Sequence, residues 1–164
     1  MENILFTRKA TALFNGTTQL TDYIFDEVKV VDDFFILYSS TLLLIIKKDG
    51  TPVLYDKISD TGIIQPLHFD SVFVSDKGIK VIKDGLSGCY SFEGVLIIPI
   101  AYAGLYFRPL GIEVVEDGFV GLFSYDGKLI IPIEFTSIVN FYTKKIEVSK
   151  NGETFYYSYD GTLI

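Results

Sequence analysis

The stretch Gly94-Val95-Leu96-Ile97-Ile98-Pro99-Ile100-Ala101-Tyr102 returns, barely altered, as Gly127-Lys128-Leu129-Ile130-Ile131-Pro132-Ile133-Glu134-Phe135. A phrase that recurs at a fixed spacing marks one small unit copied in tandem, and such units bury their apolar surface by stacking on one another. Working outward, a related stretch begins at Gly62 and runs through Pro66-Leu67-His68-Phe69. A degenerate copy reaches from Gly16 to Tyr23-Ile24-Phe25, and Tyr159-Asp160-Gly161 makes a last turn. The punctuating glycines Gly16, Gly62, Gly94, Gly127 and Gly161 are spaced by 46, 32, 33 and 34 residues. The first unit is longer than the rest by about a dozen residues, and so carries an insertion.

Each unit reads as strands joined by tight turns. Pro99 ends an apolar run and belongs where no ladder donor is needed, at a strand end or edge. Ile112-Glu113-Val114-Val115-Glu116 leads into Asp117-Gly118, and Phe119 to Tyr125 forms the return strand. Asp-Gly between apolar runs signals a hairpin, because glycine accepts positive φ without steric cost. The same grammar is read at Lys83-Asp84-Gly85, Lys48-Asp49-Gly50 and Lys150-Asn151-Gly152. Phe25, Phe69, Tyr102 and Phe135 share one register, which predicts an aromatic layer running through the core.

This pattern resembles the WG-repeat family of bacterial proteins, whose units read turn-Gly-x-Trp-Gly-hydrophobic, then Asp-Gly, then Val-Ile-Pro and an aromatic-Asp pair. Gly118-Phe119-Val120-Gly121-Leu122 and Gly85-Leu86-Ser87-Gly88-Cys89 occupy the first part of that phrase. Asp126-Gly127 with Ile130-Ile131-Pro132 completes it, and Phe69-Asp70 keeps the aromatic-Asp pair. The chain departs from the family in having no tryptophan: Pro52, Ser87, Val120 and Thr154 stand in its place, and Phe155 replaces the second glycine of the last unit. The resemblance covers nearly the whole chain. It implies a repeat architecture and a binding role more than any one reaction.

The expected fold is therefore all-β: tandem antiparallel β-meander or hairpin repeats of about 33 residues, forming an open twisted stack. A closed propeller is less favoured, since its blades usually need about 40 residues. One repeat domain is expected across 1–164, with units near 16–61, 62–93, 94–126 and 127–160.

Composition narrows the function. The formal net charge is −7 and the pI about 4.6, the opposite of the basic footprint of a nucleic-acid binder, and equally unsuited to an anionic membrane surface. The most apolar run, Phe34 to Ile46, spans 13 residues, which is short for a membrane helix and reads as a strand pair. The opening residues lack the pattern of a secretory signal, so a cytoplasmic protein is expected.

No catalytic constellation emerges. His68 is the only histidine and shares its register with Ala101 and Glu134, so it is expected to face solvent. Cys89 is the only cysteine, expected to be a buried, inert thiol. One histidine and one cysteine do not make a zinc site, and neither a calcium loop nor a phosphate-cradling loop is present, so no cofactor or metal is expected. Asp32-Asp33 and Glu116-Asp117 read as solvated turns, and nothing selects a glycosidase pair.

Repeats differ where function has been added, and the first unit differs most. Its acidic residues Asp22, Asp26, Glu27, Asp32 and Asp33 stand beside Phe34-Phe35-Ile36-Leu37-Tyr38, a pairing that suits a protein-binding face: carboxylates steer a basic partner and aromatics anchor it. The plainer alternative is a solvated turn followed by a buried strand. In the last unit Tyr156 and Tyr157 belong to an aromatic strand that either offers an edge to a partner or caps the core. The expected function is a non-catalytic protein-binding module, specifically a bacterial immunity protein that neutralises a cognate, basic toxin domain. Two other readings are an enzyme or small-ligand site in a groove between repeats, and an array that scaffolds self-association.

Overall fold

A computed structural model describes residues 3–6, 11–22 and 24–164; Tyr23, part of the degenerate first copy, lies outside the described residues. The fold is all-β, a succession of small antiparallel meanders, none of which closes on itself. β1 (Asn3–Phe6), β2 (Thr11–Asn15) and β3 (Thr18–Gln19) form the first sheet. The second holds β4 (Glu27–Val31), β5 (Phe34–Tyr38) and β6 (Leu42–Lys47). Then come β7 (Pro52–Leu54), the small pair β8 (Lys57–Ile58) and β9 (Ile64–Gln65), and β10 (Leu67–His68). Two four-stranded sheets follow: β11 (Ser71–Val74), β12 (Ile79–Lys83), β13 (Leu86–Tyr90) and β14 (Leu96–Tyr102), then β15 (Gly104–Arg108), β16 (Gly111–Glu116), β17 (Phe119–Phe123) and β18 (Leu129–Phe135). The last sheet is β19 (Ser137–Phe141), β20 (Ile146–Lys150) and β21 (Glu153–Tyr157). The chain divides into two compact units, residues 1–84 with 89–96, and residues 85–88 with 97–164.

Two kinds of turn recur in these sheets. At Asp84-Gly85, Asp117-Gly118 and Asn151-Gly152 both central residues have positive φ, 50° and 82° at the middle pair, which is the two-residue turn whose twist matches a hairpin. Lys48-Asp49-Gly50 does not belong with them, contrary to the sequence reading, because only its glycine is left-handed. It joins a second kind, in which the Gly50 N–H donates to the Lys47 carbonyl and the Lys47 N–H to the Thr51 carbonyl. The same two bonds close Ser59–Gly62, Ser91–Gly94, Ser124–Gly127 and Ser158–Gly161. In those four the serine hydroxyl also accepts a backbone N–H, a local bond that favours the turn over continued strand.

The location of the insertion follows from the register. On one side of β6, Ile45 faces Leu54 of β7, while Leu43 faces Leu67 of β10. Where the two later four-stranded sheets have a single seven-residue outer strand, here the strand is in two pieces, and residues 55–66 leave the ladder as the β8–β9 hairpin. Pro99 and Pro132 lie in the middle of β14 and β18, the outermost strands of their sheets. The edge position expected for proline is therefore found, and the strand-end position is not.

In the first unit, Leu13, Phe25, Phe35, Leu37, Leu44, Ile46 and Ile64 form a core shared by the first two sheets and the inserted hairpin. Leu43 and Ile45 are also fully buried, so both faces of β6 are covered, which explains why its sequence is continuously apolar rather than alternating. In the second unit, Val120, Leu122, Ile131 and Phe135 pack on Ile146, Val148 and Tyr157 of the last sheet. Of the predicted aromatic layer, Phe25, Phe69 and Phe135 are buried, and Tyr102 is half-buried against Phe123 with ring centres 6.0 Å apart.

Candidate functional site

The acidic segment is built around the β4–β5 hairpin. Asp32-Asp33 is its two-residue turn, with Asp32 at a φ of 47°, a conformation that aspartate tolerates better than most residues. Counting the ladder back from that turn sets Glu27 opposite Tyr38, and the Tyr38 hydroxyl donates to Glu27 Oε2 at 2.6 Å. Partial burial, and then this carboxylate, push the Tyr38 hydroxyl up to about 12, so it stays a neutral donor. The Asp26 N–H donates to the Tyr38 carbonyl at 3.0 Å, while the fully buried Phe25 next to it pins the strand.

Asp22, Asp26, Glu27, Asp32 and Asp33 are all exposed, but they do not form one cluster. Asp26 and Glu27 lie at one end of β4 and Asp32-Asp33 at the other, roughly 17 Å apart along an extended strand. Each end opens on its own depression. Asp26 and Glu27, with Tyr38, Ser39, Ser40 and Val72, line one of about 300 Å³. Asp33 lines another of about 420 Å³ together with Phe34, Lys47, Lys48 and Asp49. The first is lined by carboxylates and hydroxyls with no ammonium group; in the second two lysines offset the acids. Lys29, the one lysine of the segment, points elsewhere: its ammonium donates to the Ser75 carbonyl and lies 4.8 Å from the centre of the Phe92 ring. The Asp26–Glu27–Tyr38 end is therefore the part of the segment suited to receive a cationic side chain.

The neighbouring aromatics contribute less than their sequence suggests. Phe35 is buried and Phe34 half-buried, which leaves Tyr38 at the depression. Ser39, Ser40 and Val72 are the lining residues that the sequence reading missed. The turn read at Asp32-Asp33 pairs Glu27 with Tyr38 once the ladder is counted back from it, and so brings Ser39 to that end; Val72 comes from the next sheet and left no local signal.

The second candidate set divides. Tyr157 is a core residue: it packs edge-on against Phe135 at 5.7 Å and 81°, so it is withdrawn from the partner-facing set. Tyr156 is half-buried, with the Lys145 ammonium 3.6 Å from its ring centre. Phe155 also packs on Phe135 at 5.7 Å, so this strand closes the core of its unit.

His68 is exposed, as its register predicted. Cys89 is fully buried, and desolvation pushes its thiol up to about 12, far from the reactive thiolate range. Among the described residues no group of three or more His, Cys, Asp or Glu side chains is placed to hold a metal ion, and no helix is long and apolar enough to cross a membrane. In comparisons with known proteins no family profile matches the chain, and no curated protein or solved structure matches it significantly.

Proposed function

We propose that this protein is a non-catalytic protein-binding module of the WG-repeat kind, a bacterial, cytoplasmic immunity protein that binds and neutralises a basic toxin domain. The observation that carries the reading is the lysine-free depression formed by Asp26, Glu27 and the neutral Tyr38 hydroxyl. Two carboxylates at its rim attract a lysine or arginine, and the tyrosine supplies contact area at low entropic cost. The net charge of −7 adds long-range steering toward a basic partner. A stacked repeat supports this role because its rigid sheets hold such a surface in place before binding.

The test is to isolate a stoichiometric protein partner from the native host and measure its association rate. The Asp26→Asn, Glu27→Gln double variant is expected to slow association about tenfold at low salt, with the difference shrinking as salt rises. Association that is indifferent to both the double variant and the ionic strength would remove the acidic depression from the account.

A further inference from the structure

The last sheet departs from the one before it at three positions that meet in space. Counted from the turns Asp117-Gly118 and Asn151-Gly152, Arg108, Gly111 and Leu122 correspond to Tyr142, Lys145 and Tyr156, while Glu113 is kept as Glu147. In the earlier sheet Arg108 Nε donates to Glu113 Oε2 at 2.7 Å. In the last one the Tyr142 hydroxyl takes over that bond, donating to Glu147 Oε2 at 2.6 Å. Glu147 faces Tyr156 across the ladder. The next pair, Ile146 and Tyr157, is buried, so Glu147 and Tyr156 project from the other face of the sheet. The Tyr142 N–H donates to the Lys145 carbonyl at 2.8 Å and closes the loop between them.

The cation of the last sheet is held by rings. The Lys145 ammonium lies 3.6 Å from the centre of the Tyr156 ring and 5.4 Å from that of Tyr142, both within reach of a cation–π contact. Lys29, Arg108 and Lys150 also lie over aromatic rings, but each donates to an oxygen as well: the Ser75 carbonyl, Glu113 and Glu134 respectively. Among the described residues no hydrogen bond or ion pair joins the Lys145 ammonium to the protein. A primary ammonium is a compact, strongly hydrated charge with three donors, and ring faces alone satisfy it poorly. They suit a cation that has no N–H to satisfy and presents methyl groups instead.

We infer that Tyr142, Tyr156 and Glu147 form a binding site for a quaternary ammonium group, and that Lys145 is its resident gate, displaced when that group enters. The two tyrosines supply the ring faces; Glu147 orients Tyr142 and supplies the opposite charge. The site uses no residue of the Asp26–Glu27 depression, so it stands or falls independently of the partner proposed above.

The experiment titrates tetramethylammonium chloride into the full chain and follows the tyrosine ring resonances by NMR, with sodium chloride holding the ionic strength constant. The chains compared are the unaltered one, Lys145→Ala, and Lys145→Ala combined with either Tyr142→Leu or Tyr156→Leu. Leucine is what the preceding sheet carries at the Tyr156 position. Tyr142 is exposed, so its substitution tests the site even where Tyr156→Leu lowers the melting temperature. Lys145→Ala is expected to bind about tenfold more tightly than the unaltered chain, and either tyrosine substitution to lose about tenfold again. Binding to Lys145→Ala that is as tight with Tyr142→Leu as without it overturns the site. So does a Lys145→Ala chain that binds no better than the unaltered one. Choline and a peptide carrying trimethyllysine, titrated into Lys145→Ala, then separate a free small molecule from a modified side chain as the source of the group. Equal affinity for that peptide and its unmethylated lysine form overturns the preference for a quaternary cation.

Discussion

β17 and β21 hold the same place in consecutive sheets, yet the third residue of one is Gly121 and of the other Phe155. Beside β17, the outer strand β18 slips register around Pro132 and crosses close over the glycine. A Cβ at Gly121 would lie 2.5 Å from Ile133 Cγ1 and 3.0 Å from the Ile131 carbonyl oxygen, so only the residue without a side chain fits. Gly88 meets Ile100 in the same way, at 2.6 Å from its Cγ1 and 2.9 Å from its backbone. In β21 the Phe155 ring packs on Phe135, and Leu163 bridges Tyr157 as Leu129 faces Phe123 in the sheet before. One register is thus filled by a crossing backbone in one sheet and by a side chain in the next. A repeat can thus keep its turns and ladder while one residue changes what packs at a given register.

That contrast is open to direct attack. The largest effect is expected from Gly121→Ala, where the added methyl meets backbone as well as side chain; it should cost about 3 kcal/mol in urea unfolding. A loss below about 0.5 kcal/mol, the level of an ordinary surface change, would mean that β18 does not need the glycine. Phe155→Ala should cost about 2 kcal/mol, less than a fully buried phenylalanine because the ring is half-exposed. If it costs nothing, the ring is not what closes the core.

The smallest effect tests what the two sheets share. The Ser124 hydroxyl donates to the Asp126 carboxylate, and the Ser158 hydroxyl to Asp160, with the Thr162 hydroxyl and N–H adding to the second. These bonds hold Asp126 below its ordinary value and bring Asp160 from 3.8 to about 2. A carboxyl depressed in the folded state stabilises above its unfolded value, and that contribution disappears as pH falls through the folded one. Asp160→Asn should therefore lower the melting temperature at neutral pH, with the difference from the parent closing as the pH approaches 2. A difference constant across that range would assign the effect to shape rather than charge.

Much of this architecture is legible residue by residue. The Asp-Gly and Asn-Gly turns declare themselves because their positive φ is a local property, satisfied by glycine and tolerated by a short polar neighbour. Phe25, Phe69 and Phe135 declare themselves as core by recurring at one register. Lys48-Asp49-Gly50 misleads because the same dipeptide serves either turn, and the choice between them is made by the flanking ladder. The candidate site was half visible: its carboxylates and the Asp32-Asp33 turn are plain in the sequence, but their separation to opposite ends of β4 emerges only when the ladder is counted back from that turn. Tyr157 misleads for a related reason, since alternate residues of an aromatic strand look alike until one face is covered.

By itself, then, the order of residues determines that this chain makes short antiparallel strands in repeating blocks, with an extra dozen or so residues in the first. Only the tertiary structure decides that those residues split one strand and emerge as a hairpin in which Ile64 is buried and its ladder partner Ile58 stays exposed. It likewise decides that Glu27 shares a depression with Tyr38 and Val72. The physical reason is range. Turn dihedrals and strand preference are set within a few residues, whereas exposure and juxtaposition depend on which distant segment covers each face, and that is settled only when the sheets pack.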